Sequence, residues 1–254
     1  MPKLTLLLFS LLTPLFACAE PQYYKGGIVR GDPSVKAVAF VFTGGYHGEG
    51  AEYILDVLKK KKAPGNFFLT GNYLRKETFK DGIIRMTREG HYVGAHSNNH
   101  PKYVSSFSAA NTLISRRAFN ADLDKNFAEL AKFGVKKSDA TYYIPPYETY
   151  NQTIVNWAKQ YGLTIFNRTP GTRTHGDFTD PSMTTYYSSE RIMKFIYAEE
   201  VKPNGLNGHL MLIHLGVGPK RQDKFYHQLG PLIDWLREKK YRIVKVPALL
   251  ESER

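Results

Sequence analysis

The chain has 254 residues, 42% of them hydrophobic and 23% charged, and a formal net charge of +12. This composition excludes a disordered or fibrous chain and suits one domain or a single closed barrel. The charge points to anionic surfaces such as cell-wall polymers, acidic polysaccharides or lipid headgroups, and not to nucleic acid, because no helix-turn-helix, zinc-finger or RRM signature accompanies it.

The first 19 residues read as an export signal: Lys3 gives a positive start, residues 4–16 an apolar run interrupted by Pro14, and Ala17, Cys18 and Ala19 a small-residue cleavage region. The run is short for a membrane span. Cys18, preceded by Leu15-Phe16-Ala17, resembles a bacterial lipoprotein box, in which a lipid on Cys18 would attach the mature protein to a membrane. Cleavage after Ala19 fits the same residues. The expected location is therefore the bacterial periplasm, the outer membrane as a lipoprotein, or the medium. Cys18 is the single cysteine, so core packing and not a disulfide must stabilise the protein.

Residues 20–254 show no linker, repeat or low-complexity tract and read as one catalytic domain. Short apolar, β-rich runs lie at 37–42, 66–69, 92–95, 142–145, 164–167, 209–214 and 242–246. Helical patterns lie between them at 51–62, 82–89, 115–133, 153–161, 189–200 and 225–239. Strands alternating with helices imply an α/β fold with about seven parallel strands, and at this length a closed or nearly closed (β/α) barrel. Such barrels carry chemistry at the C-terminal strand ends, and the unusual polar residues cluster there. Thr43 to Glu49 follow the first run, His96 to His100 the third, Pro146 to Asn151 the fourth and Thr169 to Asp177 the fifth; His214 ends the sixth.

Three segments carry candidate chemistry. In Gly94-Ala95-His96-Ser97-Asn98-Asn99-His100-Pro101, two histidines four apart leave a strand and can face one metal ion; a catalytic zinc takes a third protein ligand, commonly a carboxylate, and keeps a position open for water. In His209-Leu210-Met211-Leu212-Ile213-His214-Leu215-Gly216, His214 closes a very apolar strand. In Tyr142-Tyr143-Ile144-Pro145-Pro146-Tyr147-Glu148, paired prolines enforce extended backbone and free the Tyr147 N–H to act as an oxyanion donor. The Lys59 to Lys62 run closes a helix, where cations suit the dipole.

The ordered set of His-Ser-x-x-His, Pro-Pro-Tyr and Leu-x-x-His over residues 37–246 resembles the NodB-like polysaccharide deacetylases, carbohydrate esterase family 4. The resemblance implies a distorted (β/α) barrel, one divalent metal, usually zinc, and removal of N-acetyl, or in some members O-acetyl, groups from an acetylated glycan. It makes His96 and His100 metal ligands, Tyr147 the oxyanion donor and His214 the general acid. The family's first motif, Thr-Phe-Asp-Asp-Gly, carries the base and a metal ligand; here it reads Val41-Phe42-Thr43-Gly44-Gly45, and the arginine that opens the third motif is Ile144. An arginine left without its aspartate would be an unpaired charge, so the losses are mutually consistent. Glu49, across the glycine-rich turn of Gly44, Gly45 and Gly48, is the nearest acid able to replace the lost metal ligand; its other role is that of an acid opening the next helix. Glu148 and Asp177 are the candidate bases, and Arg173 reads as a solvated loop charge.

The expected activity is hydrolysis assisted by a metal-bound water, with His214 protonating the departing amine. An O-acetyl esterase and a non-catalytic sugar-binding protein on the same fold are the competing readings. Processing is directly testable: expressed in a Gram-negative host, the mature protein should begin at a lipid-bearing Cys18 or at Glu20, and mass spectrometry finding Met1 on a soluble cytosolic product would overturn the export reading.

Overall fold

The computed structural model describes residues 20–105 and 111–251; the export signal read over residues 1–19, Cys18 included, lies outside the described residues. A hairpin absent from the periodicity opens the described chain, β1 (Gln22–Tyr24) antiparallel to β2 (Gly27–Arg30). All seven expected strands follow: β3 (Ala37–Gly44), β4 (Asn66–Leu69), β5 (Tyr92–Ala95), β6 (Tyr142–Tyr143), β7 (Thr164–Ile165), β8 (His209–His214) and β9 (Arg242–Ile243). Every pairing among these seven is parallel. The helices are α1 (Ala51–Lys61), α2 (Gly71–Leu74), α3 (Lys80–Arg88), α4 (Arg116–Ala131), α5 (Gln152–Tyr161), α6 (Ser189–Glu200), α7 (Leu229–Glu238) and α8 (Val246–Leu250). Several boundaries differ from expectation; β6 and β7 are two residues long where runs of four were expected, and two further differences lie near the C-terminal end. Pro247 sits at the start of α8, where its fixed φ favours a helix start, so the last strand ends at Ile243 and not at 246. Residues 225–228 form a separate 3-10 turn before α7.

β3 is uncharged and buried along its whole length. It pairs with β8 along one edge, and along the other with β9 at its start and β4 at its end. Its side chains alternate. Ala37, Ala39 and Val41 join Phe68, Ile144, Phe166, Leu210 and Leu212 in the barrel interior, whereas Val38, Phe40 and Phe42 pack outward with residues of the surrounding helices, Ile54, Leu58, Leu232 and Ile233 among them. Period-two alternation in a strand covered on both faces explains why these runs read as continuously apolar.

The ring of ladders is interrupted at two places, which gives the barrel its distortion. Between β5 and β6 the Tyr92 hydroxyl accepts the Tyr142 N–H (2.9 Å) in place of a strand pair. Between β7 and β8 the hairpin wedges in: Asn167 N–H reaches the Ile28 carbonyl (2.7 Å), and the Thr169 hydroxyl donates to Val29 O (2.6 Å) while accepting from Leu210 N–H (2.9 Å). All parallel strands thus end on one face, which collects the loops that bear the candidate residues. Among the described residues no helix is long and apolar enough to cross a membrane.

At the opposite end of the barrel Asn66, fully buried, links three elements. Its amide donates to Phe40 O (2.9 Å) and its carbonyl accepts the Val246 N–H at the start of α8 (2.7 Å). Asn66→Ala should cost about 2–4 kcal/mol, from a buried N–H left unsatisfied and the void around it; urea unfolding monitored by tryptophan fluorescence would read the loss.

Candidate active site

His96 leaves β5 into a loop whose backbone is held in unfavourable conformations. Ser97 and His100 are left-handed, with φ of 66° and 55°, a state that costs a non-glycine residue about 1–3 kcal/mol. The loop is clamped from α4: the two carboxylate oxygens of Asp122 accept the N–H groups of Asn98 (2.7 Å) and Asn99 (3.1 Å). The Ser97 hydroxyl accepts the His100 N–H (3.0 Å). The clamp sets the His96 and His100 rings with centroids 5.0 Å apart. His96 Nδ1 lies 2.8 Å from the Ile144 carbonyl. A carbonyl only accepts, so Nδ1 carries the proton and Nε2 holds the lone pair. Burial, and secondarily the neighbouring His100, pushes His96 down to about 3; burial and then His214 push His100 down to about 4. Both imidazoles are neutral at neutral pH.

The loop after β6 carries Tyr147 and Glu148, both left-handed (φ 57° and 52°). Glu148 N–H reaches back to Pro145 O (3.0 Å) and Thr149 N–H to Pro146 O (3.3 Å). The Tyr147 N–H donates to no protein acceptor among the described residues, as an oxyanion donor requires. Its ring packs on His100 with centroids 4.4 Å apart. The Glu148 carboxyl is pushed above its ordinary value by burial, against the opposing pull of His214 and Arg168 and with a further push from Asp177.

Across the barrel, β8 ends at His214, paired in register with Thr43 of β3. The 3-10 turn Thr174–Phe178 delivers Asp177, which is buried. One Asp177 oxygen lies 2.6 Å from His214 Nδ1 and the other accepts the His214 N–H (2.8 Å). Burial would lower the His214 pKa, but the charge and hydrogen bond of Asp177, with Glu148 behind them, outweigh it and raise it.

The structure thus brings His96, His100, Tyr147, Glu148, Asp177 and His214 to one face. It separates the roles of the two candidate bases: Asp177 is committed to His214 through both oxygens, while the Glu148 carboxylate takes no hydrogen bond from the described residues. Glu49 is not brought to the histidine pair. Its Oε1 accepts the N–H groups of Val217 (2.9 Å) and Gly218 (2.8 Å) and pairs with Lys224 (3.0 Å), tying the loop after β8 to the start of α1. Arg173 stacks over Tyr187 and Phe195. Three site residues were given no role by the motifs. Thr43 is buried and its hydroxyl has no partner. Arg168 and His175 are largely desolvated beside Glu148 and His214, and the orphaned His175 Nδ1 is buried as well. Arg168 and His175 sit on the loop after β7, whose strand is two residues long and left too little pattern to place them.

The polysaccharide deacetylase family model matches residues 30–166, more than half of the chain. The chain belongs to this family. Over 137 residues it is 29% identical to the peptidoglycan-N-acetylmuramic acid deacetylase PdaA of Bacillus subtilis, a match covering 54% of this chain and 48% of that one; the chain spans about half the length of the curated relatives it matches first. A family 4 carbohydrate esterase from Bacillus anthracis superposes with a TM-score of 0.65 at 26% identity, over 89% of this chain and 87% of the other. A family 4 pseudoenzyme from the same organism superposes with a TM-score of 0.69 at 18% identity, over 90% and 70% of the two chains. The fold is the NodB-like distorted (β/α) barrel of carbohydrate esterase family 4.

Deacetylases of this family generally depend on a metal, and the donor set here falls short of that need. It stops at two imidazoles. A Cβ at Gly44, the family's carboxylate position, would lie 2.8 Å from Leu69 Cδ2, 2.9 Å from Tyr73 Cδ2 and 3.0 Å from Leu215 Cδ1, in a filled apolar space. Among the described residues no three His, Cys, Asp or Glu side chains form a group able to hold a metal. These residues do not fit the three-ligand catalytic zinc of the family. In a Glu49→Ala variant, metal content measured by mass spectrometry should equal that of the parent protein. The melting temperature should fall instead, because two backbone N–H groups and Lys224 lose their acceptor, for a cost of about 1–3 kcal/mol.

Proposed function

We propose that this protein is an exported deacetylase of N-acetylated cell-envelope glycans that works by acid–base hydrolysis on its own side chains. The observation that carries the reading is the Asp177–His214 pair at the end of β8, a buried carboxylate that holds the imidazole with one oxygen and the backbone N–H of the same residue with the other. Export is supported by the pattern of residues 1–19, and a glycan of the cell envelope by the basic charge and by the family.

Glu148 removes a proton from a water molecule, and the water oxygen attacks the acetyl carbonyl. The oxyanion accepts the free Tyr147 N–H. His214 gives its proton to the amide nitrogen, the C–N bond breaks, acetic acid and the free amine depart, and the proton on Glu148 returns through solvent to His214. Asp177 stabilises the imidazolium and orients the ring without itself moving a proton. Because the donor set does not fit, no step is assigned to a metal ion.

A second reading, a glycan-binding protein without hydrolysis, is favoured by the absence of both first-motif carboxylates at Thr43 and Gly44. Acetate release from N-acetylated oligosaccharides separates the two, since the second reading requires binding with no release.

His214→Ala should slow amide hydrolysis about 10²–10⁴-fold, the usual contribution of a positioned acid. An activated acetyl ester, whose leaving group needs no proton, should lose far less; equal losses on both would remove the acid assignment. The pH profile follows from the shifts. The acid must be protonated and its pKa is raised above 6.5, so activity should persist on the alkaline side of 6.5. The base must be ionised and its pKa is raised above 4.5, so the acid limb should lie above 4.5. Asp177→Asn removes the influence that raises His214 and should move the alkaline limb to lower pH, a displacement that a merely structural Asp177 would not produce.

A further inference from the structure

The two longest strands carry the polar rim on an apolar interior. Ala37, Ala39 and Val41 of β3 and Leu210 and Leu212 of β8 point into the barrel, and Val41 lies opposite Leu212 in the parallel register. Side chains alternate along a strand. Thr43 and His214, the next opposed pair on that face, therefore form the interior layer directly above. The Thr43 hydroxyl enters the barrel on the same layer as the imidazole assigned as the acid.

The fold makes no use of this hydroxyl. Thr43 is 3% exposed, and its Oγ1 is buried without a hydrogen-bond partner among the described residues. A buried hydroxyl left unsatisfied is destabilising, and valine would suit a buried strand equally well without that cost. Two other buried polar atoms at this end, Arg168 Nε and His175 Nδ1, also lack partners. Both belong to the loop after β7, whereas Thr43 is fixed by strand pairing on both edges, and its carbonyl accepts the Leu215 N–H (3.0 Å). A donor that stabilises developing charge must be held in this way before the reaction begins.

Hydrolysis of an amide leaves a place for such a donor. The carbonyl oxygen gathers negative charge under attack, and the Tyr147 N–H supplies one hydrogen bond to it. The histidine pair does not complete a metal site, so a second contact to that oxygen must come from the chain. The acetyl group is a small terminal part of the glycan and enters deepest, which places a donor for its oxygen beneath the rim, where Thr43 lies. We propose that the Thr43 hydroxyl is the second oxyanion donor. Its O–H donates to the acetyl oxygen as the carbon becomes tetrahedral, and it keeps its proton throughout, so the proton balance of the hydrolysis is unchanged. The assignment rests on the deacetylase reading for the identity of the group that is bound.

The test compares Thr43→Val, which removes the hydroxyl, with Thr43→Ser, which keeps it, on a peptidoglycan tetrasaccharide. Thr43→Val should lower kcat for acetate release about 10²–10³-fold, the usual loss for one oxyanion donor. Its KM should stay within about twofold of wild type, because the contact strengthens only in the transition state. Thr43→Ser should recover most of the loss. The melting temperature of Thr43→Val should equal or exceed that of the wild type, since no hydrogen bond of the fold is removed. An unchanged kcat, a loss confined to KM, or a Thr43→Val protein that melts lower or fails to fold would overturn the assignment. A second measurement needs no turnover: calorimetric titration with the same tetrasaccharide carrying a methylphosphonamidate in place of each acetamide, a stable copy of the tetrahedral oxyanion. Wild-type protein should bind this copy about tenfold or more tightly than the acetamide parent. Thr43→Val should lose that preference and bind the parent as before. A wild-type protein that releases no acetate yet shows this preference, lost in Thr43→Val, would sink the hydrolytic reading and uphold the donor. A preference absent from the wild type, or intact in Thr43→Val, would overturn the donor whatever the turnover.

Discussion

The first six residues of β3 are shared by two cores, and that double burial governs where the chemistry can lie. Ala37, Ala39 and Val41 fill the barrel, Val38, Phe40 and Phe42 pack against the helical layer, and the strand pairs in parallel on both edges. A one-residue slip would exchange the two sets and place phenylalanines where alanines now fit. Fixed register on β3 in turn fixes Gly44 opposite Leu69 and Thr43 opposite His214. The same geometry gathers the ends of β4, β5 and β8 at one rim. The strain of the left-handed residues on the loops is tolerated because this frame, and clamps such as Asp122, over-determine the loop paths.

The family frame was legible because it rests on periodicity and on side chains that repeat at fixed spacing. The runs at 66–69, 92–95 and 209–214 coincide with β4, β5 and β8, and His96, His100, Tyr147 and His214 stand on the face that their order implied. What was not legible depends on distant partners. Nothing near Glu49 in sequence announces Val217, Gly218 or Lys224, which lie more than 160 positions away. Proximity in the chain suggested a replacement ligand; the fold instead uses this acid to join two loops. Arg168 and His175 follow a two-residue strand with almost no pattern of its own, and their desolvation exists only once the hairpin and β8 have closed around them.

The rewritten first motif reads differently once its surroundings are known. Gly44 is not a vacated carboxylate position, because Leu69, Tyr73 and Leu215 occupy the space a side chain would need. Ile144, where an arginine would stand, belongs to the barrel core and contributes its carbonyl to His96. A carboxylate and a guanidinium do stand elsewhere on the rim, Glu148 on the loop after β6 and Arg168 on the loop after β7. Each moderates the desolvation of the other, in the opposite direction for acid and base.

Four imidazoles share this rim, and only one of them is placed to hold a proton. His96, His100 and His175 are each pushed down, first by burial, and each is pushed further by His214. His214 itself would follow them on burial alone; the charge of Asp177 and its hydrogen bond to the ring reverse the direction, and Glu148 reinforces it. The cause of the difference is one carboxylate, delivered by a 3-10 turn that the sequence showed only as a polar loop. The charge of His214 adds to the burial that already lowers the other three. His214 in turn lies within the field of Glu148, the acid whose pKa is raised. A proton donor and a proton acceptor thus share the rim, with the remaining imidazoles held neutral around them.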